Sequence, residues 1–163
     1  MPNWVYNELY ITGHEKARKA LCRQAKGTYT ERGGKVRKSP FMFSRFCPPP
    51  PYELLEGIYA LEKDDDWPLD MKWQSDNWGC KWDVAGRSDL LRVTKSSHVY
   101  SLLTAWAPPS AFIRNLSCLY PYLHFSLHST YPAGGRGIEK FVGGYSNYSC
   151  MYKSKLSNVG KLP

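Results

Sequence analysis

Between Val5 and Thr12 the side chains alternate, with Val5, Asn7, Leu9 and Ile11 on one side and Tyr6, Glu8, Tyr10 and Thr12 on the other. A period of two predicts a strand with one apolar face, and Gly13 ends it. From His14 to Lys26 the spacing becomes helical. Ala17, Ala20, Leu21 and Ala25 form one stripe, and Lys16, Arg18, Lys19, Arg23 and Lys26 occupy much of the rest. Gly27 to Ser39 is rich in Gly, Lys and Arg without a hydrophobic period, which predicts a mobile basic loop or hairpin. Phe41 to Phe46 reads as the next strand. It stops at Cys47 because Pro48 to Pro51 cannot donate ladder bonds and favour a polyproline conformation. Tyr52 to Lys63 predicts a short helix with Leu54, Leu55, Ile58 and Leu61 inward, followed by a solvated acidic turn of Asp64, Asp65 and Asp66.

In the second half, Leu90 to Thr94 and Val99 to Ala105 predict a hairpin across Lys95, Ser96, Ser97 and His98. Pro108 and Pro109 suit a helix start, and Phe112, Ile113, Leu116 and Leu119 mark its buried side. Tyr122 to Ser129 alternates again, with Tyr122, His124, Ser126 and His128 opposite Leu123, Phe125 and Leu127. Gly134, Gly135, Arg136 and Gly137 suggest a flexible loop, and Glu139 to Lys155 two strands turning at Gly143 and Gly144. This order predicts an α+β fold of ferredoxin-like type: one antiparallel sheet with helices on one face. One domain should span residues 1–163, with a basic loop near 27–39 and a long excursion near 47–89.

Two aromatic blocks interrupt this pattern, Asp76-Asn77-Trp78-Gly79-Cys80-Lys81-Trp82-Asp83 and Thr104-Ala105-Trp106-Ala107-Pro108-Pro109. Tryptophans on either side of a glycine imply a tight turn with a specified geometry, and Asn77 and Asp83 can bond its exposed backbone. Trp4, Trp78, Gly79, Trp82 and Trp106 therefore read first as a structural motif, with an aromatic-anchored site as the alternative.

Charge sharpens the picture because it is unevenly placed. Residues 1–50 carry ten Lys or Arg against three acids, and residues 90–163 carry eight against Glu139 alone, while residues 51–89 hold ten acids against four cations. Two basic segments around an acidic middle suit a protein that presents cationic faces to a polyanion. No run reaches the roughly 18 apolar residues that a membrane span needs, and the opening Met1-Pro2-Asn3-Trp4 does not resemble a secretory leader, so the expected location is the cytoplasm. Five cysteines lie far apart, without metal-ligand spacing, and are expected to be free, buried thiols.

Met1-Pro2-Asn3-Trp4, the Asn77-Trp78-Gly79-x-Lys81-Trp82-Asp83 block and Thr104-Ala105-Trp106-x-Pro108-Pro109 together resemble a family of small phage- and plasmid-encoded proteins. Phe41-x-Phe43, the prolines and Glu53-Leu54-Leu55 add to the resemblance, as does Tyr120-Pro121-x-Leu123-x-Phe125. It implies a ferredoxin-like domain in the carboxy-terminal half and an origin on a mobile element. Most members have no assigned function, so it implies no catalytic residue. The basic segment 26–38 and Tyr131-Pro132-Ala133-Gly134-Gly135-Arg136 depart from the family's pattern.

No nucleophile elbow, phosphate loop or zinc-protease motif is present. A rolling-circle or relaxase-like nuclease is the enzymatic alternative, with Tyr152 in a Tyr-x-x-Lys motif and a metal near His124 or His128. Four residues along a strand separate those histidines by about 13 Å, too far to share one ion. The triple aspartate lacks a second group of oxygen ligands, so no metal or other cofactor is expected. Binding has more support. Tyr122, Tyr145, Tyr148 and Tyr152 interleave with Arg136, Lys140, Lys153 and Lys155, and aromatics beside cations on an open sheet can stack bases and follow phosphates. Lys16, Lys19, Arg23, Arg32, Lys35, Arg37 and Lys38 supply a second basic stretch. The expectation is a non-enzymatic protein that binds nucleic acid or a ribonucleoprotein. Inhibition of a host defence complex such as a CRISPR effector is the specific role that a phage origin suggests. A protein-interaction module is the remaining alternative.

Overall fold

The computed structural model describes residues 3–60 and 67–153, the last six of them by backbone alone. The architecture is α+β. Six strands form one antiparallel sheet in the order β4-β5-β1-β6-β7-β8. They are β1 (Trp4–Gly13), β4 (Ser88–Val93), β5 (Ser97–Ala105), β6 (Leu123–Thr130), β7 (Gly135–Val142) and β8 (Tyr145–Lys153). β1 is central, with Leu9 opposite Tyr100 of β5 on one side and Leu127 of β6 on the other. A separate hairpin pairs β2 (Gly27–Thr30) with β3 (Val36–Ser39). The helices are α1 (Glu15–Ala25), α2 (Tyr52–Ile58), α3 (Leu69–Trp78) and α4 (Ser110–Leu119). Among the described residues no helix is long and apolar enough to cross a membrane.

The core lies against one face of the sheet. Leu9, Ile11, Leu102, Leu123, Phe125, Leu127 and Phe141 pack with Leu21 and Ala25 of α1 and with Phe112, Ile113 and Leu116 of α4. Phe41 and Phe43 are fully buried there, with ring centroids 5.0 Å from Tyr100 and 4.3 Å from Phe112 respectively. Each such side chain contributes roughly 1.5–3 kcal/mol on leaving water. Asn7 shares this buried face. Its Nδ2 donates to the carbonyls of Val5 and Leu102 and to Thr104 Oγ1, and its Oδ1 accepts from Ser129 Oγ at 2.7 Å. One carboxamide thus links β5, β1 and β6 with every polar atom satisfied.

The excursion departs most from the sequence-based expectation. The expected tryptophan turn is the end of a helix, α3, and Gly79 is its left-handed cap at φ 80°. A side chain on Gly79 would also press against Pro108 O at 3.2 Å, where the chain enters α4. Asn77 bonds back to the carbonyl of Trp73 in its own helix, while Asp83 accepts from the backbone N–H groups of Phe43 and Ser44 at 2.7 and 3.0 Å. Those two bonds hold Phe43–Arg45 in a 3₁₀ turn in place of the expected strand. In α2 the buried residue is Leu55, with Tyr59 buried just past its end, whereas Leu54 and Ile58 are 59% and 58% exposed. Leu61 and the acidic turn Asp64–Asp66 lie outside the described residues.

Other differences affect charged groups. Arg18, expected on the solvent side of α1, is fully buried. Its Nε donates to the carbonyl of Gly13, Nη2 to that of Lys95 and Nη1 to His98 Nδ1, tying α1 to the β4–β5 turn. His98 belongs to β5 and is buried, so it is not part of the connecting loop. β7 starts at Gly135, which places Arg136 in a strand and not in a flexible loop. Residues 27–39 form the hairpin alternative of the two expected, with Arg37 Nε 3.2 Å from Glu31 Oε1. Cys22 and Cys80 are buried free thiols, as expected, but Cys118 is exposed. Burial pushes the Cys80 thiol up to about 12.

Candidate nucleic-acid interface

The polar side of β1 carries Tyr6, Glu8, Tyr10 and Thr12, and no helix packs on it among the described residues. Register extends each position into a row across the sheet. Tyr6 stands opposite Thr130, which pairs with Arg136. Glu8 stands opposite His128 and then Ile138, and Tyr10 opposite Ser126 and then Lys140. β8 continues two of the rows, with Tyr152 beside Arg136 and Asn147 beside Lys140. The even positions of β1, β6 and β7 thus form a face of aromatic, hydroxyl and cationic groups around the carboxylate of Glu8.

At its centre Tyr10 donates a 2.6 Å hydrogen bond to Glu8 Oε2, and Tyr6 donates a longer one, 3.4 Å, to Oε1. The Tyr10 and His128 rings lie 4.6 Å apart, and His128 Nε2 is 2.9 Å from Ser126 Oγ. The bond to Glu8 raises the Tyr10 phenol, chiefly because it favours the protonated hydroxyl, and burial does most to raise that of Tyr6. Burial lowers His128, and Lys140 adds to this against an opposing contribution from Glu8.

Two shallow grooves of about 640 and 620 Å³ open on this face. The first includes Tyr10, His124, Lys140 and Tyr145, and the second Tyr6, Glu8, His128 and Arg136. Each combines aromatic surface with one cation. A flat ring can stack in either groove while Arg136 or Lys140 meets a phosphate, the arrangement by which open sheets hold single strands.

The fold has a solved counterpart. The crystal structure of the protein api92 from Yersinia pseudotuberculosis, of the DUF1281 family, matches 93% of this chain and 98% of that one with a TM-score of 0.59. At 10% identity the likeness concerns the fold alone. No family model matches the chain, and no curated protein matches it.

The residues singled out in the sequence fall on separate surfaces. Arg136 and Lys140 share the open face, and the register of β8 places Tyr152 opposite Arg136. Tyr145 is 81% exposed at the groove edge, and Tyr122, equally exposed, precedes β6. Tyr148 and Lys153 are described only as strand positions of β8, and Lys155 lies outside the described residues. Lys16, Lys19 and Arg23 lie on α1, in the layer behind the sheet, where Lys19 pairs with Glu15. Arg32, Lys35, Arg37 and Lys38 are exposed on the β2–β3 hairpin. His124 is exposed, His128 is half-buried against Tyr10, and among the described residues no group of three His, Cys, Asp or Glu is placed to hold a metal ion.

Tyr6, Glu8 and Tyr10 were legible as the polar side of a strand but carried no signal that marks a site. Their grouping with Arg136 and Lys140 depends on two strand registers. The structural motif also divides. Trp78 is buried and donates to the carbonyl of Cys47 at 3.1 Å, whereas Trp106 is 45% exposed and Trp4 and Trp82 are partly so.

Proposed function

We propose that this is a non-enzymatic protein that binds nucleic acid or a ribonucleoprotein across the open face of its sheet. One observation carries the reading: Arg136 and Lys140 stand in register with Tyr6 and Tyr10 on a face that no described helix covers. Stacking on the tyrosines is indifferent to base identity, and the cations follow the backbone, so the expected ligand is single-stranded with little sequence preference. The exposed cations of the β2–β3 hairpin, which is tied to β4 through Ser39 and Ser88, form a separate basic surface.

The order β4-β5-β1-β6, with α1 and α4 as crossovers, supports a ferredoxin-like frame to which β7 and β8 are added. A phage or plasmid origin rests on the resemblance of the tryptophan-rich motifs. With it comes the narrower reading of a cytoplasmic inhibitor that engages the RNA of a host defence complex, such as a CRISPR effector.

Binding of labelled single-stranded RNA, single-stranded DNA and duplex DNA by the nuclease-treated protein across a salt series tests the reading. Micromolar or tighter binding with a steep salt slope is expected for at least one single strand. Absence of binding at low salt to all three would overturn direct nucleic-acid recognition.

A further inference from the structure

Beyond the open face, the amino-terminal end of β1 carries a second concentration of aromatic and cationic groups. Lys81 Nζ lies 4.3 Å from the ring centroid of Trp106, 4.9 Å from that of Trp82 and 6.0 Å from that of Trp67. Arg87 lies 4.9 Å over Trp4 and 5.9 Å from Trp82. The indoles also touch one another, Trp4 with Trp82 at 6.1 Å and Trp67 with Trp106 at 5.3 Å. Four indoles and two cations therefore alternate in one ladder. Core packing does not account for it, because Trp67 and Trp106 remain 39% and 45% exposed.

The backbone at Trp106 is fixed in place. Trp106 has φ 72°, a left-handed backbone that bulky residues rarely adopt. Its N–H donates to the carbonyl of Asn3 at 2.7 Å, and Thr104 Oγ1, itself bonded by Asn7, donates to the carbonyl of Ala107. A strained, exposed tryptophan fixed by its surroundings is characteristic of a binding site. Neither Lys81 nor Arg87 has an ion-pair partner among the described residues. Arg87 also lies between two attachments of the basic hairpin: Tyr29 packs against Gly86, and Ser39 Oγ lies 3.1 Å from Ser88 Oγ.

We infer that this ladder is a second contact site, a platform on which unpaired bases of a single-stranded nucleic acid stack while Lys81 and Arg87 neutralise its phosphates. Exposed π-faces beside cations that no described carboxylate pairs suit a ligand that is flat and anionic at once, which an unpaired nucleotide is. Trp4 follows the same alternation as Tyr6 and Tyr10 at about 7 Å per step, so a strand leaving the platform continues onto the sheet. The inference rests on the nucleic-acid reading but concerns different residues, which allows the two to fail separately.

The test is a titration of the protein with 12-nucleotide oligothymidylate and oligouridylate, following tryptophan fluorescence and, separately, the anisotropy of labelled oligonucleotide. Stacking on the ladder quenches the indoles. Trp106→Gly, in which glycine takes the positive φ without strain, should lose part of that quenching and weaken binding about five-fold or more. Lys81→Gln should weaken binding without altering the backbone. If both variants bind and quench like the parent while Arg136→Glu and Lys140→Glu lose affinity, the platform is overturned and the sheet face stands. If the ladder variants lose affinity and the sheet variants do not, the platform stands and the sheet is not the contact. Absence of binding by the parent would overturn both.

Discussion

The guanidinium of Arg18 donates to Nδ1 of His98 at 2.9 Å inside the protein, so His98 accepts through its lone pair and is the neutral imidazole. A proton there would remove the acceptor and set two positive charges side by side. Burial is the largest cause that lowers the His98 pKa, followed by Arg18 and Lys19, with Glu15 opposing them. A histidine depressed on folding contributes stability above its unfolded pKa, near 6.5, and that contribution is lost as pH falls through the folded value. Urea midpoints are therefore expected to be level between pH 7 and 8 and to fall towards pH 5. His98→Gln keeps an acceptor and should flatten the fall in part. His128, lowered in the same direction, adds to the fall. An unchanged profile in the variant would remove His98 as the titrating group.

Asn7→Ala should be among the most destabilising single changes. It strips partners from Ser129, Thr104 and two carbonyls at a site with no access to water. A loss of about 2–4 kcal/mol is expected in denaturant unfolding. Loss below 0.5 kcal/mol would show that the neighbouring groups find other partners.

Asp83→Ala should cost about 1–3 kcal/mol, because two backbone N–H groups of the 3₁₀ turn lose a charged acceptor. Asp83→Asn, which still offers one oxygen, should cost less. Calorimetric melting of the three proteins distinguishes them.

Glu8→Gln should strengthen binding of a single strand. Its carboxylate lies amid the open face and opposes phosphate, while a glutamine can still accept from Tyr10. A gain of about two- to five-fold is expected, larger at low salt. Weaker binding in the variant would mean that the carboxylate itself holds the ligand.

Neutralising Arg136 and Lys140 together should reduce the magnitude of the salt slope by about 1.4 for a single strand. Neutralising Lys16, Lys19 and Arg23, which lie behind the sheet on α1, should alter it much less. Equal effects from the two sets would place the contact outside the open face.

These contrasts mark how far the sequence could be read. β1 and β6 were legible because a half-buried strand imposes period two on its residues, and α4 because its apolar residues recur at helical spacing. α3 was not, since its buried residues Trp73 and Trp78 stand five apart and form no stripe. Phe41 to Phe46 has the aromatic content of a strand, but its conformation is decided by Asp83, forty residues from Phe43. For the site, the charge pattern along the chain pooled Lys16 with Arg136, which the fold sends to opposite layers. The pairing of Tyr10 with Lys140 through Ser126 is a property of register, and register between distant strands leaves no local mark.

The central place of β1 also sets a timetable for the ribosome. Asn7 meets Thr104 and Ser129 across sequence separations of 97 and 122 residues. At about 5–20 residues per second, β1 emerges several seconds before either strand that will flank it. Both of its edges stay unpaired during that interval, and a chain whose middle strand waits for its neighbours completes its sheet late, with that strand open to other pairings until they arrive.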